Sequence, residues 1–366
     1  MNRTFGYWLL TTDYFMTDTY KTTVTAAGFH DDTRRFFEGR TVAVTGGSGF
    51  IGSHVVEQLL ALGALPIVLS RNASPRFLSH LGDRIDLRVA DLDDFKQTKN
   101  AMEGATTVLS LAATVAGLEY NAAHPASIFQ ANLQTFFNAI KAANDLNVER
   151  FCVVSSACVY PRHCSIPTPE SEGFLDEPEP TNSGYGWAKR MEEYLAAQYA
   201  KEFGLSVAIA RPYNAYGPRD NFDPASSHVI PALIVKAFES KDGRLPVWGD
   251  GSHSRSFLYV DDFARGVIEV AARYPQADAV NIGADEETTI RETATLVARF
   301  VSEIRGETIT PAFDPAGLTG QPRRHCDTTK LEKILGFRAR VPLEEGLRKT
   351  VQWFHQHENL TLPSHP

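Results

Sequence analysis

The chain has 366 residues, 43% of them hydrophobic and 22% charged, with a formal net charge of −8. That length suits one large α/β domain, or a nucleotide-binding domain with a smaller companion, in a soluble globular enzyme. Its basic residues are scattered rather than blocked, which disfavours nucleic acid and acidic membranes as partners, and no apolar run approaches the roughly 18 residues that span a bilayer.

Residues 1–37 lack a clear hydrophobic period and read as an N-terminal extension. The opening MNRTFGYWLLTTDYFMTDTY does not have the form of a signal peptide, so a cytoplasmic protein is expected. From Arg40 onward short apolar runs of strand length alternate with helical stretches. RTVAVTG, LPIVLS, IDLRVAD, TTVLSLAA, RFCVVSS and LSVAIARP are the strands, and the longest helices are PASIFQANLQTFFNAIKAAND and YGWAKRMEEYLAAQYAKEFG. Such alternation predicts a Rossmann-type, doubly wound parallel sheet covered by helices on both faces. After Tyr213 the chain becomes loop-rich in NAYGPRDNFDPASSHVIP. A helix ALIVKAFESK, a strand RLPVWGDG and the strand-to-helix segment SFLYVDDFARGVIEVAARY follow. AVNIGADEETTIRETATLVARFV then reads as strand, turn and amphipathic helix, with Thr288 or Thr289 as the N-cap. The expected organisation is a dinucleotide-binding domain over 38–212 with a return segment at 256–282. A smaller interwoven substrate-binding region comprises 213–255 and 283–356.

GGSGFIG places Gly46, Gly49 and Gly52 directly after the first strand. Glycines there let the backbone turn tightly and approach a pyrophosphate that rests on the next helix's N-terminus. Phe50, Ile51, Leu92 and Ala112 complete the expected cofactor wall. At the end of the second strand an acidic residue would accept the ribose hydroxyl of NAD. This chain has Ser70-Arg71-Asn72, and Arg71 suits the 2′-phosphate of NADP, with NAD as the alternative. Asp91, ending IDLRVAD, is either an adenine contact or the N-cap of the following helix.

Tyr185 and Lys189 stand four apart in SGYGWAKRMEEYL, on one helix face. The ammonium should lower the pKa of the tyrosine and suit it to protonate a carbonyl oxygen. Four cysteines, Cys152, Cys158, Cys164 and Cys326, include no close CxxC pair, so neither a metal site nor a structural disulfide is expected. Cys152 reads as strand core and Cys164 as loop. Cys158, in SSACVYP, is by itself either a buried small residue or a proton carrier.

Gly46, Gly49 and Gly52, with Ser156, Tyr185 and Lys189, resemble the extended short-chain dehydrogenase/reductase family, whose members modify nucleotide sugars. The likeness runs from about Thr41 to Trp353. SSACVYP, NAYGPRDNFDPASSHVIPAL and WGDGSHSRSFLYVDD resemble most closely its members that epimerise and then reduce GDP-4-keto-6-deoxy-mannose, and next those that epimerise GDP-mannose at two carbons. The resemblance implies Ser156, Cys158, Tyr185, Lys189 and His228 as catalytic residues, with Cys158 and His228 as the acid/base pair. Asn214 and Arg255 would contact a nucleotide-diphosphate sugar, GDP-linked sugars being favoured, and the two long helices would pair into a homodimer. Three readings follow. The first is an NADPH-dependent epimerase/reductase. The second is a redox-neutral epimerase that keeps its NAD(P), and the third a non-catalytic nucleotide sensor.

Overall fold

A computed structural model describes residues 26–73, 77–115, 117–224, 226–316 and 321–361. Its centre is a seven-stranded, wholly parallel sheet. The strands are β1 (Thr41–Thr45), β2 (Leu65–Ser70), β3 (Asp86–Val89), β4 (Thr107–Ser110), β5 (Arg150–Val154), β6 (Val207–Pro212) and β7 (Ala279–Ile282), in the spatial order β3-β2-β1-β4-β5-β6-β7. The doubly wound parallel sheet read from the strand–helix alternation is therefore present. Chain direction across the sheet reverses between β1 and β4, and the crevice beyond the strands' carboxyl ends at such a switch point is where α/β sheets hold ligands.

The inner strands carry apolar residues on both faces because each face meets a different core. Val42, Val44, Cys152, Val154, Ala208 and Ala210 point to one side, against Val55, Val56 and Leu59 of the helix Phe50–Ala61 and Phe263 and Val267 of the helix Val260–Arg273. Ala43, Ile67, Phe151, Val153, Val207 and Ile209 point to the other, against Phe136, Ala139 and Ile140 of the helix Pro125–Asp145 and Ala196 of the helix Ser183–Phe203. Alternate residues thus go to opposite faces, as the two-residue period of a strand demands. Burial pushes the Cys152 thiol up to about 12, so it stays protonated in the core.

A third core lies over the carboxyl ends of the strands. Ile230, Leu233 and Ile234 of the helix Val229–Glu239 meet Leu245 and Val247 of the strand Arg244–Trp248, Val297 and Phe300 of the helix Ile290–Arg305, and Leu347 and Val351 of the last helix, Leu343–Thr361. Thr289 is the N-cap of Ile290–Arg305, in a reciprocal box with Glu292. Two strand pairings here went unread in the sequence. The strand Thr310–Asp314 pairs in parallel with Arg244–Trp248, and Arg323–Arg324 pairs with Ser254–Arg255. Within residues 1–37, the described part includes a helix, Asp31–Phe37, whose buried Thr33 donates to Glu269 at 2.6 Å. No described helix is long and apolar enough to cross a membrane.

Candidate active site

A cleft of about 960 Å³ opens between the sheet's carboxyl edge and the upper core. It is large enough for a dinucleotide and a second ligand together. Gly46 leaves β1 at φ +66°, where an L side chain is strained, and a Cβ on Gly52 would fall 2.1 Å from the Gly46 carbonyl oxygen. The loop therefore folds back on itself only with glycine at both places. Gly49 caps the helix Phe50–Ala61 without a side-chain acceptor, so the helix's first N–H groups remain available to an anion. This cradle fits a pyrophosphate. Phe50, Ile51, Leu92 and Ala112 line the same cleft.

Ser70, at the end of β2, accepts from the Ser48 hydroxyl at 3.0 Å and from the Asn72 amide at 3.1 Å. Arg71 beyond it is exposed at the cleft's edge, and no carboxylate among the described residues pairs with it. Asp91 also lines the cleft, while Asp94 caps the helix Phe95–Ala101 by accepting from the Gln97 amide at 3.0 Å. Capping is thus carried by Asp94, and the Asp91 carboxylate is left at the cleft.

β5 delivers the chemical groups. The strand ends at Val154, and Ser156 then caps a single 3₁₀ turn, Ala157–Val159, by accepting from the Cys158 amide at 3.1 Å. The turn swings the half-buried Cys158 into the cleft. Tyr185 and Lys189 face the same space from the first turns of the helix Ser183–Phe203, with the Lys189 Nζ 5.6 Å from the Tyr185 ring centroid. The Lys189 Nζ is almost wholly buried, and donates to the Val154 carbonyl at 3.1 Å and to Glu192 at 2.8 Å. Tyr185 departs from the expected direction. The protein around its ring pushes its pKa up to about 12, outweighing the opposite pull of Lys189 and of the Ser156 hydroxyl. The ring is half-buried, its open side on the cleft.

His228 precedes the helix Val229–Glu239, and its side chain makes no capping bond. It lines the cleft as an exposed residue. Desolvation first, and the charge of Arg324 second, lower its pKa, which favours the neutral imidazole. Asn214 donates to the Ser256 carbonyl at 2.9 Å, which fixes its amide at the cleft wall. Arg255 is held by the Ser254 carbonyl at 2.7 Å and forms no ion pair among the described residues.

Several groups escaped the sequence reading. Arg324 donates to the Cys158 sulfur at 3.7 Å and carries its charge near both His228 and Arg255. Its only sequence signal was an Arg-Arg pair in a polar stretch, QPRRHCD. Lys236 lies 4.6 Å from the ring centre of Trp248, an exposed indole on the cleft wall. Asp220 is buried with one carboxylate oxygen unpartnered, and burial pushes it up to about 8. Glu192, beneath Lys189, was also passed over.

The model of the NAD dependent epimerase/dehydratase family matches residues 42–283, the part of the chain that builds the sheet and carries the turn after β5. The chain belongs to that family. Among curated relatives it is 35% identical over 322 residues to a probable GDP-L-fucose synthase of Oryza sativa subsp. japonica, covering 87% of this chain and 92% of that one. It is 33% identical to the GDP-L-fucose synthase of Escherichia coli K12, and equally to a dTDP-4-dehydro-6-deoxy-D-allose reductase of Streptomyces bikiniensis. Each of these alignments covers 87% of this chain and 97% of the relative. Among solved structures, a GDP-L-fucose synthetase from Naegleria fowleri bound to NADP superposes with a TM-score of 0.74 at 26% identity, covering 88% of this chain and 94% of that one. The UDP-glucose 4-epimerase of Thermotoga maritima reaches 0.76 at 27% identity, over 87% and 99%. The resemblance to extended short-chain dehydrogenase/reductases, and within them to GDP-L-fucose synthases, is borne out.

Proposed function

We propose that this epimerase/dehydratase family member is an NADPH-dependent epimerase and reductase of a 4-keto-6-deoxy nucleotide sugar. The observation that carries the reading is the meeting, in one cleft, of two proton-carrying systems. Tyr185, Ser156 and Lys189 form one, and Cys158 and His228 the other, with Arg324 donating to the Cys158 sulfur at 3.7 Å and carrying its charge near His228.

Carbons beside a C4 ketone lose protons when the developing enolate oxygen is stabilised, here by the Ser156 and Tyr185 hydroxyls. One member of the Cys158–His228 pair takes the proton from a carbon and the other returns a proton to its opposite face, which inverts the centre. A bound reduced nicotinamide supplies the hydride for C4. Tyr185 then gives its proton to the ketone oxygen, and the Lys189 ammonium stabilises the phenolate left behind. Arg255 and Arg324, two guanidinium groups without a carboxylate among the described residues, suit the substrate's diphosphate, while Trp248 offers a flat wall for its base. Incubating the enzyme with GDP- and dTDP-linked 4-keto-6-deoxy sugars and NADPH should consume NADPH in step with product, with an inverted carbon beside C4. Epimerisation without NADPH consumption would favour the redox-neutral reading instead, and no turnover of any keto sugar would overturn both.

The Ser-Arg turn after β2 supports NADPH over NADH. Arg71→Asp should narrow the ratio of the two dissociation constants by at least about tenfold, since it exchanges a guanidinium for a carboxylate beside a 2′-phosphate. Isothermal titration with both cofactors measures this, and wild-type protein that binds NADH as well as NADPH would remove the assignment.

A two-fold dimer is part of the same reading. The helices Pro125–Asp145 and Ser183–Phe203 lie side by side and leave Phe137, Tyr194 and Phe203 exposed on their outer faces. Light scattering at micromolar concentration should give twice the chain mass; the mass of a single chain would contradict it.

A further inference from the structure

Glu192 has no part in the acid/base chemistry described so far, yet it is buried against the group on which that chemistry leans. Its carboxylate accepts from the Lys189 Nζ at 2.8 Å, and both side chains are almost fully sealed from solvent. The second buried carboxylate of this helix, Glu193, has a complete set of partners. It takes a two-pronged bond from Arg211, at 2.7 and 2.6 Å, and a hydrogen bond from Ser155. Glu192 has Lys189 alone as its charged partner. A buried carboxylate with one cationic partner is held there at a cost in desolvation, and such a group changes its protonation more readily than a solvated one.

We propose that Glu192 is a positioning residue that sets the proton affinity of Tyr185 through Lys189, acting as a protonation switch beneath the Tyr185–Lys189 pair. This rests on Tyr185 being the proton donor to the ketone. While Glu192 is ionised, part of the Lys189 field is directed to it, and its own negative charge adds to the forces that raise Tyr185. Once Glu192 is protonated, the ammonium faces the phenol without that competitor, and Tyr185 releases its proton more easily. Burial, ahead of the opposing pull of Lys189, pushes Glu192 up to about 7, which places the change in the neutral range.

The groups that face this pair from each packed element are few. On the helix itself they are Tyr185, Lys189 and Glu193. β5 brings the Val154 carbonyl and Ser155, and β6 brings Arg211, bound to Glu193. The turn after β5 brings Cys158, which acts on Tyr185. The helix Pro125–Asp145 carries two charged side chains, Lys141 and Asp145, bonded to each other at 2.8 Å, and its preceding His124 stacks on Tyr120.

Glu192 is neutral below its pKa and ionised above it, so ketone reduction slows as pH rises through about 7. Single-turnover oxidation of bound NADPH by a 4-keto nucleotide sugar should fall by about tenfold between pH values of about 6 and about 8 in wild type, and Glu192→Gln should hold the fast limit across that range. Glu192→Asp keeps an ionisable group and should restore a pH step. A purely structural role would lower the rate of Glu192→Gln at every pH without flattening the profile, and that result overturns the proposal. A second readout needs neither substrate nor cofactor. Difference infrared spectra of the wild-type protein between the same two pH values should show a protonated-carboxyl band that disappears in Glu192→Gln. Absence of that band overturns the switch whether or not a keto sugar turns over. Its presence in an enzyme that reduces no keto sugar supports the titration of Glu192 and overturns the proposed reaction alone.

Discussion

Cys158→Ser abolishes exchange of solvent deuterium into the carbons beside the ketone while cofactor binding stays at its wild-type strength. The expected loss of exchange is at least about a hundredfold, the usual contribution of a positioned acid or base. Serine is close to cysteine in size, so the 3₁₀ turn at Ala157–Val159 and the Ser156 cap on the residue-158 amide are kept. What changes is acidity, because an alcohol is a far weaker acid than a thiol and holds its proton where a thiol can exchange it. Arg324 then points a guanidinium at a hydroxyl that it cannot make into a competent acid or base. His228 remains, its pKa lowered by desolvation and by Arg324, but inversion needs a partner on the other face of the sugar ring. Nuclear magnetic resonance of the keto sugar in deuterated buffer with the oxidised cofactor reads the exchange directly. Exchange at the wild-type rate in Cys158→Ser would leave this cysteine a small side chain that fills space after a strand.

The fold could be read from the chain because its cause is local and repetitive. Strands such as TVAVT and FCVV are apolar without alternation, the mark of a sheet covered on both faces, and helices of the right length lie between them. The short pairings of the upper region gave no such signal. Thr310–Asp314 reads TPAFD, with a proline and two polar ends, and it becomes a strand because Arg244–Trp248 supplies the other half of its ladder. The same reasoning separates the site residues. Glycines 46, 49 and 52 act through backbone conformation, which a motif records. Arg324 acts through position alone, since its two-residue strand must lie beside Ser254–Arg255 before its guanidinium can meet the Cys158 sulfur. Tyr185 shows the limit most plainly. The spacing to Lys189 declares the ammonium, but the desolvation that outweighs it comes from tertiary packing around the ring.

Tyr185→Phe has the opposite bias to Cys158→Ser: ketone reduction is lost by about a hundredfold or more, while deuterium exchange falls far less. Phenylalanine fills the same half-buried site between the cleft and the helix, and the Lys189 ammonium keeps its bonds to Val154 and Glu192. The stability of the fold therefore changes little. The missing hydroxyl is the one proton donor that the high pKa of Tyr185 keeps protonated across the whole neutral range, so the reduced alcohol's oxygen has no acid in place when hydride arrives. Enolate formation is less affected because Ser156 still offers its hydroxyl and the carbon acid/base pair, Cys158 and His228, is left in place by the substitution. Rapid-mixing measurements of NADPH absorbance should show the reduction step slowed in Tyr185→Phe, and product analysis should recover epimerised but unreduced sugar. If reduction and exchange fall together by the same factor, the two proton systems are one, and the division of labour between Tyr185 and the Cys158–His228 pair is wrong.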